Sequence, residues 1–151
     1  YLTWRYLTHP LIDYHFMVLR DKDSLVGFCI LRFEDNNKEL TAARIVDLIV
    51  LENYDEKMLY HILNYCIKKV DFIDFFCTGR FYNSALEKCN FFNNLIENLP
   101  FPSVFNPIDI NHSAKINFFY KCNIEKNISL DLSDVNNWYF VKADSDQDRA
   151  N

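Results

Sequence analysis

The sequence predicts a mixed α/β domain built on a mostly antiparallel sheet. Three observations predict it. Residues 44–51 read Arg-Ile-Val-Asp-Leu-Ile-Val-Leu, almost continuously apolar and β-branched, the pattern of a strand buried on both faces. Residues 54–70 place Leu59, Ile62, Leu63, Cys66 and Val70 at the three-and-four spacing of one helix face. A further apolar run at 72–77 follows at once, so strand, helix and strand make a β-α-β unit. Ligands in such folds sit at the carboxyl ends of the strands.

Taken in order, Trp4 and Leu7 suggest a short helical turn, which Pro10 forbids to continue. Residues 14–20 alternate, with Tyr14, Phe16 and Val18 on one face, as a strand does. Asp21-Lys22-Asp23-Ser24 is a polar turn, and residues 25–33 are the returning strand of a hairpin. Gly27 inside that strand marks a bulge or a close approach of two backbones. After a second polar turn at 35–39 comes the central strand, so three strands form an antiparallel meander. Thr78-Gly79 turns the chain into a second helix at 81–89, and Asn90 suits the left-handed cap that ends it. Residues 91–107 hold many Asn, Phe and Pro, with Val104-Phe105 as a short strand. Residues 116–123 read equally as strand or helix. Ser133-Asp134 starts a turn or helix, residues 138–142 read as a last strand, and 144–151 as a polar tail.

Composition excludes several function classes. The chain has 151 residues and half are hydrophobic, enough for one domain with a real core. A net charge of −5 argues against a nucleic-acid surface, which needs clustered Lys and Arg. No apolar run approaches the roughly 20 residues of a membrane span. The five cysteines, Cys29, Cys66, Cys77, Cys89 and Cys122, form no C-x-x-C pair and have no His at zinc-ligand spacing. They fit reduced, buried thiols and a cytoplasmic location. His9, His15, His61 and His112 are scattered, and no G-x-S-x-G motif is present, so neither a metal nor a serine nucleophile is expected. Asp144, Asp146 and Asp148 have the spacing of a calcium loop, but the glycine and the distal Glu are missing. A solvated tail, or a carboxylate cluster over the cleft, explains them better.

The order of elements and several local motifs resemble the acetyl-CoA-dependent N-acetyltransferase (GNAT) superfamily. Leu2-Thr3-Trp4-Arg5-Tyr6 with His9-Pro10 resembles the segment before the family's second strand. Leu25-Val26-Gly27-Phe28 is similar to a strand start of the family, and Glu87-Lys88-Cys89-Asn90-Phe91 to the end of its fourth helix, with Asn in place of Gly. Trp138-Tyr139-Phe140 before Asp144-Ser145-Asp146 resembles the ending of GNAT-like proteins found with surface-polysaccharide genes. The resemblance covers nearly the whole chain. It implies a single GNAT-like domain with helices on both faces of a mixed, mostly antiparallel sheet, splayed where the central strand meets the next parallel one. It also implies acetyl transfer from acetyl-CoA to an amine, such as an amino sugar. The family's first strand and first helices are expected upstream of Tyr1, in an upstream part of a longer protein; the opening Tyr instead of Met agrees.

Two departures bear on function. The family holds the CoA pyrophosphate on a glycine-rich loop at a helix N-terminus. The matching stretch here, Glu52-Asn53-Tyr54-Asp55-Glu56-Lys57, has no glycine and three carboxylates. Those acids suit the first turn of an ordinary helix. The family's catalytic Tyr corresponds to Leu86, although Tyr82, one turn earlier, reaches the same cleft.

The expected site follows. Asp47, sharing a strand face with Ile45 and Ile49, is desolvated and so pushed toward the range of a general base. The alternative is a buried Asp satisfied by backbone N–H groups, by Arg44 or by a Tyr hydroxyl. Tyr82 is the candidate general acid. The resemblance places acetyl-CoA on Val50, Leu51, Asn53 and Tyr54, and the acceptor near Trp4, Arg5 and Trp138. Trp4, Tyr6, Tyr82 and Trp138 could line an acceptor pocket, but aromatics at this density are more often core. The second functional expectation is a non-catalytic GNAT-like half of a two-domain enzyme, serving substrate binding or packing.

Overall fold

The computed structural model describes residues 1–35, 40–93 and 130–144, together with the backbone of two short strands, Val104–Phe105 and Ile108–Asp109. The expected elements at 116–123, the tail beyond Asp144 and most of the turn at 35–39 lie outside the described residues. A π-helical turn, Thr3–Leu7, opens the chain. Strands β1 (Tyr14–Asp21), β2 (Ser24–Asp35) and β3 (Thr41–Val50) follow, then helix α1 (Asp55–Cys66), strand β4 (Phe72–Phe75) and helix α2 (Asn83–Lys88). Strands β5 (Val104–Phe105) and β6 (Ile108–Asp109) pair separately. Two 3-10 turns, Val135–Asn137 and Lys142–Asp144, close the described chain.

The main sheet has the order β1-β2-β3-β4: an antiparallel meander, then a parallel fourth strand reached through α1. The fold is therefore mixed α+β. Helices α1 and α2 cover one face, where Cys29, Leu31, Ile45 and Leu48 meet Met58, Leu59, Ile62, Cys66 and Ala85. On the opposite face Tyr6, from the π-helical turn, packs on Tyr14, Ile30 and Val46. Among the described residues no helix is long and apolar enough to cross a membrane.

Several boundaries differ from the pattern in the sequence. Helix α1 ends at Cys66, not at residue 70, because the chain must turn back for a parallel strand. Asp71 then ties the entry of β4 to the start of β3, its carboxylate accepting from the Thr41 N–H at 2.7 Å and the Thr41 hydroxyl at 2.9 Å. Helix α2 is shorter than 81–89, and Tyr82 is the residue that caps its start. Asn90 is left-handed, with φ 61°, and the Phe91 N–H reaches back to the Leu86 carbonyl, which closes α2 in a Schellman motif. The expected last strand at 138–142 reduces to one antiparallel bridge, Val141 to Cys77, before the chain curls into a 3-10 turn.

Two bulges set which side chains face which way. One inserts Val26 into β2 opposite β1, beside Gly27; a Cβ on Gly27 would meet a Val50 methyl at 3.0 Å, so glycine permits this close approach. The other inserts Val46 into β3, since Ile30 pairs with Asp47 and Leu31 with Ile45. The extra residue breaks the period-two alternation. Asp47 therefore does not share a face with Ile45, as the alternation implied. Ile45 packs under α1, while Val46 and Asp47 both face Tyr6.

Leu59, fully buried under the sheet, is a test of this core. Leu59→Ala is expected to cost about 2–5 kcal/mol, from lost burial and the cavity left behind. Leu63, only half-buried, should cost less on the same change. Urea denaturation measures both; equal losses would mean that the helix is rotated relative to this packing.

Candidate functional site

Parallel pairing of β3 with β4 stops at Ile45 and Phe75. Beyond it, β3 presents an edge, and an unpaired buried backbone group is costly. Here side chains satisfy it. The Tyr82 hydroxyl donates to the Leu48 carbonyl at 2.9 Å, and the Tyr139 hydroxyl donates to the same oxygen at 2.5 Å. The Leu48 N–H donates to the Tyr139 oxygen at 3.2 Å. The two rings lie edge to face with centroids 6.0 Å apart, and Phe75 and Phe81 flank them.

Asp47 stands at the same point, 8 % exposed. Its Oδ2 accepts from the Tyr6 hydroxyl at 3.4 Å. Burial raises its proton affinity above the ordinary carboxylate value, and the negative charge of Asp144 raises it further. The Leu48 N–H and the Tyr6 and Tyr139 hydroxyls pull the other way. The net direction is up, so Asp47 holds a proton more readily than a solvated Asp. The same burial raises Tyr82 and Tyr139, which remain neutral hydroxyls. The Cys77 thiol is pushed up to about 11 by burial, so it is no thiolate nucleophile at neutral pH. The arrangement offers one proton acceptor and two neutral hydroxyl donors around one strand carbonyl.

Behind this point lies a buried ionic chain. Arg44 donates from Nε to Glu34 at 2.7 Å and from Nη1 to Asp74 Oδ2 at 2.9 Å. Lys142 Nζ reaches the same Asp74 oxygen at 3.1 Å, and Arg32 pairs with Glu34. Burial lowers the Lys142 proton affinity more than Asp74 restores it. The chain links β2, β3 and β4 to the segment that carries Tyr139, three residues before Lys142. It also answers one expectation: the guanidinium of Arg44 bonds Glu34 and Asp74, while the Tyr6 hydroxyl donates to Asp47.

The candidate residues fall into three groups. Asp47 and Tyr82 come together at Leu48. Val50, Leu51, Asn53 and Tyr54 line the turn from β3 to α1. There the Leu51 N–H donates to the Val26 carbonyl at 2.8 Å, Asn53 is left-handed at φ 70°, and the Tyr54 hydroxyl donates to Asp21 at 2.5 Å. The first turn of α1 carries Asp55 and Glu56, and Glu56 pairs with Lys88, so side chains and acids occupy the place of a phosphate loop. Leu86 packs against the core. The remaining three are apart. Trp4 is 74 % exposed on the π-helical turn, Arg5 lies over the Tyr6 ring, and Trp138 donates from Nε1 to the Leu132 carbonyl at 3.0 Å. Tyr139, the residue that sequence reasoning missed, is the one that completes the site. Its only signal was membership of the Trp-Tyr-Phe run. Open grooves of about 410 and 380 Å³ lie elsewhere, along β1 with His61 and Tyr65, and beneath the loop from Tyr6 to Tyr14. Among the described residues no group of His, Cys, Asp and Glu could hold a metal ion.

Comparison with protein-family models, with curated proteins and with solved structures gives no match to this chain.

Proposed function

We propose that this chain is a GNAT-like acyltransferase domain that moves an acetyl group from acetyl-CoA to an amine, with Asp47 as the general base. One observation carries the reading. A buried carboxyl with raised proton affinity lies where the pairing of β3 and β4 ends, beside strand backbone that can hold an extended amide. Asp47 would take the proton that the acceptor amine loses as its nitrogen bonds to the acyl carbon and the thioester C–S bond breaks, releasing CoA as the thiolate. Tyr82, whose neutral hydroxyl donates to the Leu48 carbonyl, is the candidate general acid that would protonate that thiolate. Acetyl-CoA would supply the activated acyl group. An amino sugar as acceptor rests on the sequence resemblance alone.

The start of α1 favours a second reading, a non-catalytic half of a two-domain enzyme. Asp55 and Glu56 would repel a pyrophosphate, and no bare glycine backbone is present to receive it. Backbone N–H bonds to phosphate are charge-assisted and worth about 1.5–3 kcal/mol each, and here they are lost. The chain should therefore bind acetyl-CoA no more tightly than about millimolar, near −4 kcal/mol. Calorimetry and thermal shift at low-millimolar acetyl-CoA measure this. Micromolar affinity would contradict the weak-binding expectation and favour an active transferase. No response, alongside activity of a longer protein containing this chain, would favour the non-catalytic half.

A further inference from the structure

The hydroxyl of Tyr139 does at Leu48 what a peptide group does at a sheet edge: it donates to the carbonyl and accepts from the N–H of one residue. Thr78 helps to hold the segment that brings it there. Its N–H donates to the Phe140 carbonyl at 2.9 Å, its hydroxyl donates to the Trp138 carbonyl, and that hydroxyl accepts from the Phe140 N–H. One bridge to Cys77 and the Lys142–Asp74 ion pair also attach it.

We infer that Tyr139 is a built-in plug of the strand edge: it occupies the Leu48 N–H and carbonyl that an extended, amide-bearing ligand must take, so such a ligand enters only as Tyr139 swings out. This inference rests on the acyl-CoA reading above, because the pantetheine arm is the amide-bearing ligand. It adds that the C-terminal segment competes with that arm, which makes the segment autoinhibitory. Tyr82 is not equivalent. Its hydroxyl shares the Leu48 carbonyl, while the bond from the Leu48 N–H goes to Tyr139. Among the described residues only Tyr139 covers both groups of Leu48.

The test uses the 151-residue chain, pantetheine and acetyl-CoA as probes, and two variants. Each net hydrogen bond that a ligand no longer has to displace is worth roughly two- to tenfold in affinity. Tyr139→Ala should therefore bind both probes about tenfold or more tighter than the parent chain by calorimetry. Tyr139→Phe, which keeps the ring and the packing, should shift the Leu48 amide resonance in the free protein. It should bind with affinity between the other two. Equal affinity of all three proteins would overturn the plug and leave the acyl-CoA reading standing. An unmoved Leu48 resonance in Tyr139→Phe would overturn the plug as well. Failure of every protein, Tyr139→Ala included, to bind either probe would overturn both the plug and the reading beneath it.

Discussion

Asp47→Asn is expected to lower acetyl transfer to an amine by about 10²–10⁴-fold, with the fold intact. The substitution keeps the shape of the side chain and its place against Tyr6, and removes the carboxylate proposed to take up the proton. A stability measurement on the same variant separates catalysis from architecture. The folded chain binds the Asp47 proton more tightly than the unfolded chain does, because burial disfavours the carboxylate. Wherever the folded state binds more protons, stability falls as pH rises. Asp47 therefore costs stability as pH climbs from the ordinary value of 3.8 through its raised one, and the whole cost is present above that. Asn has no such titration. The stability of Asp47→Asn relative to the parent should rise across that window and then level off. A fully active variant would exclude Asp47 as the base. A variant that loses stability at neutral pH would show that Tyr6 and the Leu48 N–H need the charge, and would make Asp47 a structural residue.

The second large effect lies in the ionic chain. Asp74→Asn should destabilise the fold by about 3–5 kcal/mol, because it leaves Arg44 and Lys142 sharing a pocket without the carboxylate between them. Both cations are nearly inaccessible, at 4 % and 6 % exposure, so water cannot replace the lost partner without opening the structure. Asp74 already leaves its own Oδ1 buried with no hydrogen-bond partner, a sign that position and not saturation decides its role. The expected consequence is local as well as global. Freed from Asp74, Lys142 should release the segment that carries Tyr139, and hydrogen exchange at residues 139–142 should speed up more than at β2. Chemical denaturation gives the global loss. A loss under about 1 kcal/mol would mean that solvent reaches the cluster and screens it.

Hydrophobic pattern and turn chemistry determined most of the fold. The β-branched run of β3 and the spacing of Leu59, Ile62 and Cys66 each state a local preference that burial then satisfies, whereas in β1 Phe16 and Val18 of the expected apolar face are exposed and Met17 and Leu19 meet the core under the helices. The polar turn at 21–24, the left-handed Asn90 and the Asp134 cap on the Asn136 N–H are local contacts, written within a few residues of chain. Asp47 stood out for the same reason: a carboxylate inside an apolar run is visible without knowing what surrounds it. Tertiary structure decided its neighbours. The bulge at Val46 arises from the register between two strands, and it turned Asp47 to the face opposite Ile45. Tyr139 meets Leu48 across 91 residues of sequence, and Arg44 meets Asp74 across 30. Contacts of that reach depend on where the sheet edge ends and which charges are buried together. No short pattern encodes either quantity, so the chain alone shows which residue is unusual and the fold shows what that residue touches.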